Sequence, residues 1–91
     1  MISKIKVALR IDDDDLNDEI QDLIDACLLD LKISGVIRYK EDDKLILRAV
    51  ITYCRAHFDM GSANFEKLCS CYESLKTHLS LCAEYMGADE T

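Results

Sequence analysis

Proline and tryptophan are both missing from this chain, glycine occurs only three times, and no apolar run approaches the length of a membrane span. Each absence excludes something. Without proline nothing removes a backbone donor in mid-helix. The abundance of Leu, Ile, Ala, Asp, Glu and Lys then points to an all-α fold, a small bundle of about four helices. With no stretch of about 18 apolar residues, no membrane helix is expected. The opening Met1-Ile2-Ser3-Lys4-Ile5-Lys6 lacks the unbroken apolar stretch of a secretory signal. No glycine-rich phosphate loop and no Walker pattern occur either. What is present is 91 residues, 49% of them apolar and 32% charged. That apolar share excludes a fully disordered chain. The length suits one domain that buries about two-thirds of its unfolded surface, a modest core without a deep enzyme cleft beside it. The expectation is a single helical domain over residues 1–86 and a disordered tail over 87–91.

Charge is segregated along the chain. The net value is −7 with neutral histidines, but residues 1–11 carry +3 and residues 12–31 carry −9 without a single base. Residues 32–40 return to +3, 41–43 bring −3, 44–58 bring +3 and 59–91 bring −4. A −9 stretch repels phosphate, so wrapping of nucleic acid by the whole surface is not expected. Separate acidic and basic faces instead attract copies of the same chain or an oppositely charged partner.

The five cysteines (Cys27, Cys54, Cys69, Cys71 and Cys82) are odd in number, and with no export signal they predict free thiols in a reducing cytoplasm. Cys27 and Cys54 sit in apolar helical patterns, where cysteine acts as a small hydrophobe. Cys69-Ser70-Cys71, with His78 and Cys82 following, resembles half a metal site, but on one helix Cys69 and Cys71 point about 200° apart. Structural zinc sites pair their ligands at wider spacing. No metal and no cofactor is expected.

Hydrophobic spacing predicts the helices. Ile2, Ile5 and Leu9 mark a first helix over Ile2 to Arg10, with Ser3 its expected N-cap. Asp12 to Asp15 reads as a turn. It lacks the alternating ligands, central glycine and distal glutamate of a calcium loop. Asp15 is expected to cap the second helix, Leu16 to Ile33, with Asp18 three residues on. That helix has a continuous stripe of Leu16, Ile20, Leu23, Ile24, Cys27, Leu28 and Leu31. Asp18, Glu19, Asp22, Asp25 and Asp30 are assigned to its opposite, solvated face, where like-charge neighbours cost about 0.2–0.5 kcal/mol each. Ser34-Gly35 supplies the stop.

Val36 to Lys40 reads as a β-prone connector exposing Arg38 and Lys40. Asp42 or Asp43 then caps a third helix reaching Phe58, apolar almost all round from Leu45 onward. Such a helix is either the buried centre or part of an interface, with some of its apolar surface covered by another subunit. His57 is expected at the surface near the helix end. Ser62 or Asn64 starts a fourth helix whose stripe is Phe65, Leu68, Cys69, Tyr72, Leu75 and Leu79. Leu79, Leu81, Ala83 and Tyr85 also alternate, which predicts a strand-like arm at the end. Nowhere do a nucleophile and a base fall at telling spacing: His57 and His78 lie on different helices, and no cysteine sits at a helix start flanked by bases. No enzyme activity is expected.

Three stretches carry a family resemblance. They are Lys4-Ile5-Lys6-Val7-Ala8-Leu9-Arg10-Ile11 with acids following, the run from Leu16 through Ala26 to Leu31, and Leu45-Ile46-Leu47-Arg48-Ala49-Val50-Ile51-Thr52-Tyr53 followed by Tyr72-Glu73-Ser74-Leu75-Lys76. Together they resemble the head–tail connector (adaptor) proteins of long-tailed bacteriophages and prophages, which are also described as DNA-packaging proteins. The family layout has a proline near the start of the third helix, where this chain has Lys44-Leu45.

The resemblance implies an all-α structural protein of the virion head–tail junction, assembled in the bacterial host cytoplasm. It implies a ring homo-oligomer beneath the portal protein that extends the DNA channel and docks tail-side completion proteins. DNA would pass through without sequence-specific binding, and no membrane is involved. It implies no catalytic residues. The charge blocks accord with a ring, in which one patch meets a different patch on the next copy. Asp18, Asp22 and Asp25 are candidates to meet Arg38, Lys40, Arg48 or Arg55 of a neighbour, or else to line the channel wall so that DNA slides without adhering. The alternative from another class is a small cytosolic helical regulator or adaptor that docks a partner protein's helix in an apolar groove.

Overall fold

A computed structural model describes residues 1–40, 43–58, 61 and 63–86. It contains four helices: α1 (Ile2–Leu9), α2 (Asn17–Ile33), α3 (Lys44–Phe58) and α4 (Phe65–Ser80). The fold is all-α, as the periodicity predicts. The nearly unbroken apolar surface of α3 has a direct cause: it packs against each of the other three helices, most extensively α4. Ile46, Ala49, Val50, Cys54 and Ala56 of α3 are buried. Around them close Ile5 of α1, then Ile20, Ile24, Cys27 and Leu31 of α2, Val36 of the connector, and Tyr72 and Leu79 of α4.

Two helix starts differ from the expectation. Helix α1 begins at Ile2, but its N-cap is Met1, two residues before the expected Ser3, with no side-chain cap, so Ser3 lies inside the first turn. The Met1 carbonyl accepts from the Lys4 and Ile5 amides at 3.1 and 3.2 Å. Helix α2 has Leu16 as N-cap and no side-chain cap either. Asp15 does not cap it, because the aspartate run closes its own turn: the Asp15 amide donates to Asp13 Oδ1 at 3.1 Å. Asp14 instead ties that turn to α1, its Oδ1 accepting from Lys6 Nζ at 2.9 Å and from Asn17 Nδ2 at 3.2 Å. The Lys6 hydrogen bond, with its charge, holds the Asp14 carboxyl below the usual aspartate value. Helix α3 does follow the expectation. Asp43 Oδ1 accepts from the Leu45 and Ile46 amides at 2.9 and 3.1 Å, filling two of the donors a helix start leaves open.

The ends of α1 and α2 are both sealed by paired reverse hydrogen bonds. After α2, Val36 N donates to Leu31 O at 2.9 Å and Gly35 N to Lys32 O at 3.0 Å, with Gly35 at φ +100°. Leu31 and Val36 are both fully buried and supply the apolar contact that accompanies this motif. After α1 the same pattern recurs with Arg10 N to Val7 O at 3.1 Å and Ile11 N to Lys6 O at 2.9 Å. Here the left-handed residue is Arg10, at φ 61° and ψ 42°. A side chain in that conformation costs about 1–2 kcal/mol, partly offset by its smaller backbone entropy in the unfolded chain. Arg10→Gly is therefore expected to raise stability by about 0.5–1 kcal/mol. It should appear as a higher urea midpoint at unchanged slope.

Beyond Ser80 the chain leaves the helix, but not as a strand. Turns follow one another, with Cys82 N to Leu79 O at 3.1 Å and Tyr85 N to Cys82 O at 3.0 Å. The alternation also fails in burial: Leu79 is fully buried while Leu81 is 79% exposed. What forms is an isolated antiparallel bridge between Val36 and Met86. The Tyr85 carbonyl accepts from the Ile37 and Arg38 amides at 2.8 and 3.0 Å. Its hydroxyl donates to the α3 cap, Asp43 Oδ2, at 3.0 Å. The expected caps Asp42 and Ser62 and the expected tail over 87–91 lie outside the described residues.

Candidate functional site

Asp18, Asp22 and Asp25 are exposed on one face of α2, as expected. Asp25 Oδ1 accepts from Gln21 Nε2 at 3.0 Å, one turn earlier. The bases are not all together. Lys44, Arg48 and Arg55 line a groove of about 430 Å³ along α3, with Leu45, Leu47, Ile51 and Thr52. Arg38 and Lys40 are exposed on the connector and do not line it. Arg55 also has a role inside the chain: its Nη2 donates to Ala8 O at 2.9 Å. That places positive charge on a last-turn carbonyl of α1, at the negative end of the helix dipole.

Asp30 departs from the expected acidic face. It turns inward between α2 and α4, where its Oδ2 accepts from the Tyr72 hydroxyl at 2.7 Å and from Lys76 Nζ at 3.0 Å. Tyr72 is only 5% exposed, and the Cys27 thiol donates to its oxygen at 3.7 Å. Lys76 also bonds Glu73, and its ammonium lies 5.4 Å from the Tyr72 ring centre. Tyr53 meets Tyr72 edge-on at 5.1 Å and stacks at a tilt on His57 at 4.3 Å. Asp30, Tyr53, His57, Tyr72, Glu73 and Lys76 line a surface cleft of about 320 Å³.

Electrostatics make this cluster a lock. Partial burial pushes the Asp30 carboxyl up, but the Tyr72 and Lys76 hydrogen bonds outweigh it and hold the group below the usual aspartate value. Burial, then the bond to Asp30, pushes the Tyr72 hydroxyl up. Tyrosine stays a neutral donor and aspartate a charged acceptor, which is the pairing that strengthens a hydrogen bond. Sequence reasoning missed this cluster because its members are 42 and 46 residues apart. One signal was there: a tyrosine inside an apolar stripe needs a partner for its hydroxyl.

All five cysteines are free. Burial pushes Cys27 up to about 12 and Cys54 up to about 11, so both stay protonated thiols. Cys71 is exposed, and Cys69 and Cys82 are half-buried, Cys82 Sγ lying 3.9 Å from His78 Nε2. Iodoacetamide pulses read by mass spectrometry are expected to modify Cys71 first and to reach Cys27 and Cys54 only at the rate of unfolding. No group of three or more His, Cys, Asp or Glu side chains is placed to hold a metal ion among the described residues. No helix there is long and apolar enough to cross a membrane.

The described surface of this small all-α module carries an acidic face on α2 and a basic groove on α3. The chain matches the family model described as Phage connector protein over residues 1–86, and it belongs to that family. Neither a curated protein nor a solved structure matches it. Membership makes it a phage structural protein, a virion component that interacts with other head and tail proteins.

Proposed function

We propose that copies of this chain form a ring beneath the portal, at the vertex where DNA enters the capsid. The ring extends the DNA channel and presents a docking surface to tail-side proteins. Family membership across residues 1–86 carries this reading. The surface supports it: Val7, Leu29, Ile33 and Leu81 are each more than half exposed, Val7 at 78% and Ile33 at 77%. Large apolar side chains left in water on so small a domain suit surfaces that assembly covers. The net charge of −7 suits a channel element that DNA passes without adhering.

The experiment is a nonsense mutation of the gene in the phage or prophage that carries it. Electron microscopy is expected to show DNA-containing heads and free tails that do not join, with joining restored by the gene in trans. Normal tailed particles from the mutant would refute the reading. Cryo-electron microscopy of the complemented particles is expected to place the chain as a ring between portal and tail.

A further inference from the structure

The groove along α3 carries exposed positive charge. Lys44 and Arg48, one helical turn apart, have side chains that make no ion pair or hydrogen bond among the described residues. Between them and Arg55 the floor is apolar, formed by Leu45 and Ile51, and Leu45 is 38% exposed. The exposed face of α2 is its opposite in charge. Asp18 and Asp22 are also one turn apart and also make no such bond among the described residues, and Leu29, further along that face, is 58% exposed.

Spacing matches as well as charge. Asp18 and Asp22 are four residues apart, as are Lys44 and Arg48, so the two pairs can form with the helices running in either direction. At 1.5 Å per residue each pair spans about 6 Å of its helix. We propose that the α3 groove of one copy receives the acidic face of α2 from a second copy, with Asp18 and Asp22 paired to Lys44 and Arg48. Both halves sit on every chain, and neither satisfies the other among the described residues. Used once per neighbour, such a contact is head-to-tail, the kind that propagates and closes into a ring when the rotation allows. Complementary charge sets partner choice and register, and salt weakens it.

This contact rests on the ring reading above, and its test is separate from head–tail joining. A variant carrying Asp18→Lys with Asp22→Lys presents two basic faces, and one carrying Lys44→Glu with Arg48→Glu presents two acidic faces. By sedimentation velocity at low salt, each variant alone is expected to self-associate about tenfold or more weakly than the unaltered protein. Mixed together they are expected to associate again, since each supplies what the other lost. That recovery also shows both variants to be folded. In parallel, equal amounts of ¹⁵N-labelled and unlabelled protein are treated with a water-soluble carbodiimide, which joins carboxylates to nearby amines. Mixed-isotope links between Lys44 and Asp18 or Asp22 are expected, and the residue found gives the relative direction of the helices. The contact is overturned if such links are absent, or if both variants associate as the unaltered protein does. Intact head–tail joining alongside either result leaves the ring reading standing and removes only this surface.

Discussion

Replacing Leu31 by alanine is expected to lower the unfolding free energy by about 3–5 kcal/mol. Leu31 is fully buried, and its backbone carbonyl receives the Val36 amide that ends α2. Truncation removes the apolar half of that helix stop as well as a core side chain. Val36 is fully buried against the same core, so the cavity opens where the connector turns toward α3. In a domain of this size each kcal/mol shifts the melting temperature by about 4–8 °C. Thermal unfolding followed by circular dichroism should therefore show a fall of more than about 10 °C. A fall of only a few degrees would mean that the site collapses around the missing atoms, contrary to a core locked by this helix end.

The second large effect concerns Asp30. Asp30→Ala strands the buried Tyr72 hydroxyl without its acceptor, and an unsatisfied buried donor costs about 1–3 kcal/mol. Lys76 keeps Glu73 as a partner, so the ammonium is not left alone. The Asp30 side chain is 37% exposed, and solvent screening moderates the charged part of the bond. If the hydroxyl dominates, adding Tyr72→Phe to Asp30→Ala costs less than the sum of the two single changes, by about 1 kcal/mol. A strictly additive pair in urea unfolding would contradict the lock. The acid limb has a definite sign. Asp30 ionises more readily folded than unfolded, so its contribution is complete above the ordinary aspartate value and is lost as pH falls through its lowered folded value. The stability difference between the unaltered protein and Asp30→Ala should shrink across that acid range.

The parts of the fold legible in the sequence are those set by spacing within one helix. The stripe from Ile20 to Leu31 predicts α2 and its buried face, and Asp43 and Gly35 mark a start and a stop because their chemistry acts within a few residues. What escaped depends on partners distant in sequence or on a choice among equals. Asp30 has the same side chain as Asp22 and Asp25, and only a tyrosine 42 residues later distinguishes it. Asp15 lost to its neighbours because four consecutive aspartates offer several competing turns, and Lys6 favours Asp14. Arg10 gave no sign of a left-handed conformation usually filled by glycine. The alternation after Leu79 imitated a strand, though the segment had only the short connector to pair with. Of the candidate interface residues, the α2 acids and α3 bases were readable as charge blocks. The intramolecular bond of Arg55 to Ala8 was not, since it spans 47 residues.

The clasp between Tyr85 and the connector has a consequence for how the molecule is made. Its partners, Ile37, Arg38 and Asp43, leave the ribosome long before Tyr85 does. Helix α4 ends only five residues before Tyr85, so the α2–α3 elbow receives this tie as the last described helix is completed. Shortening the gene by a few codons ahead of Tyr85 would thus leave a helical protein with a loosened joint, one whose amide protons at Ile37 and Arg38 exchange early.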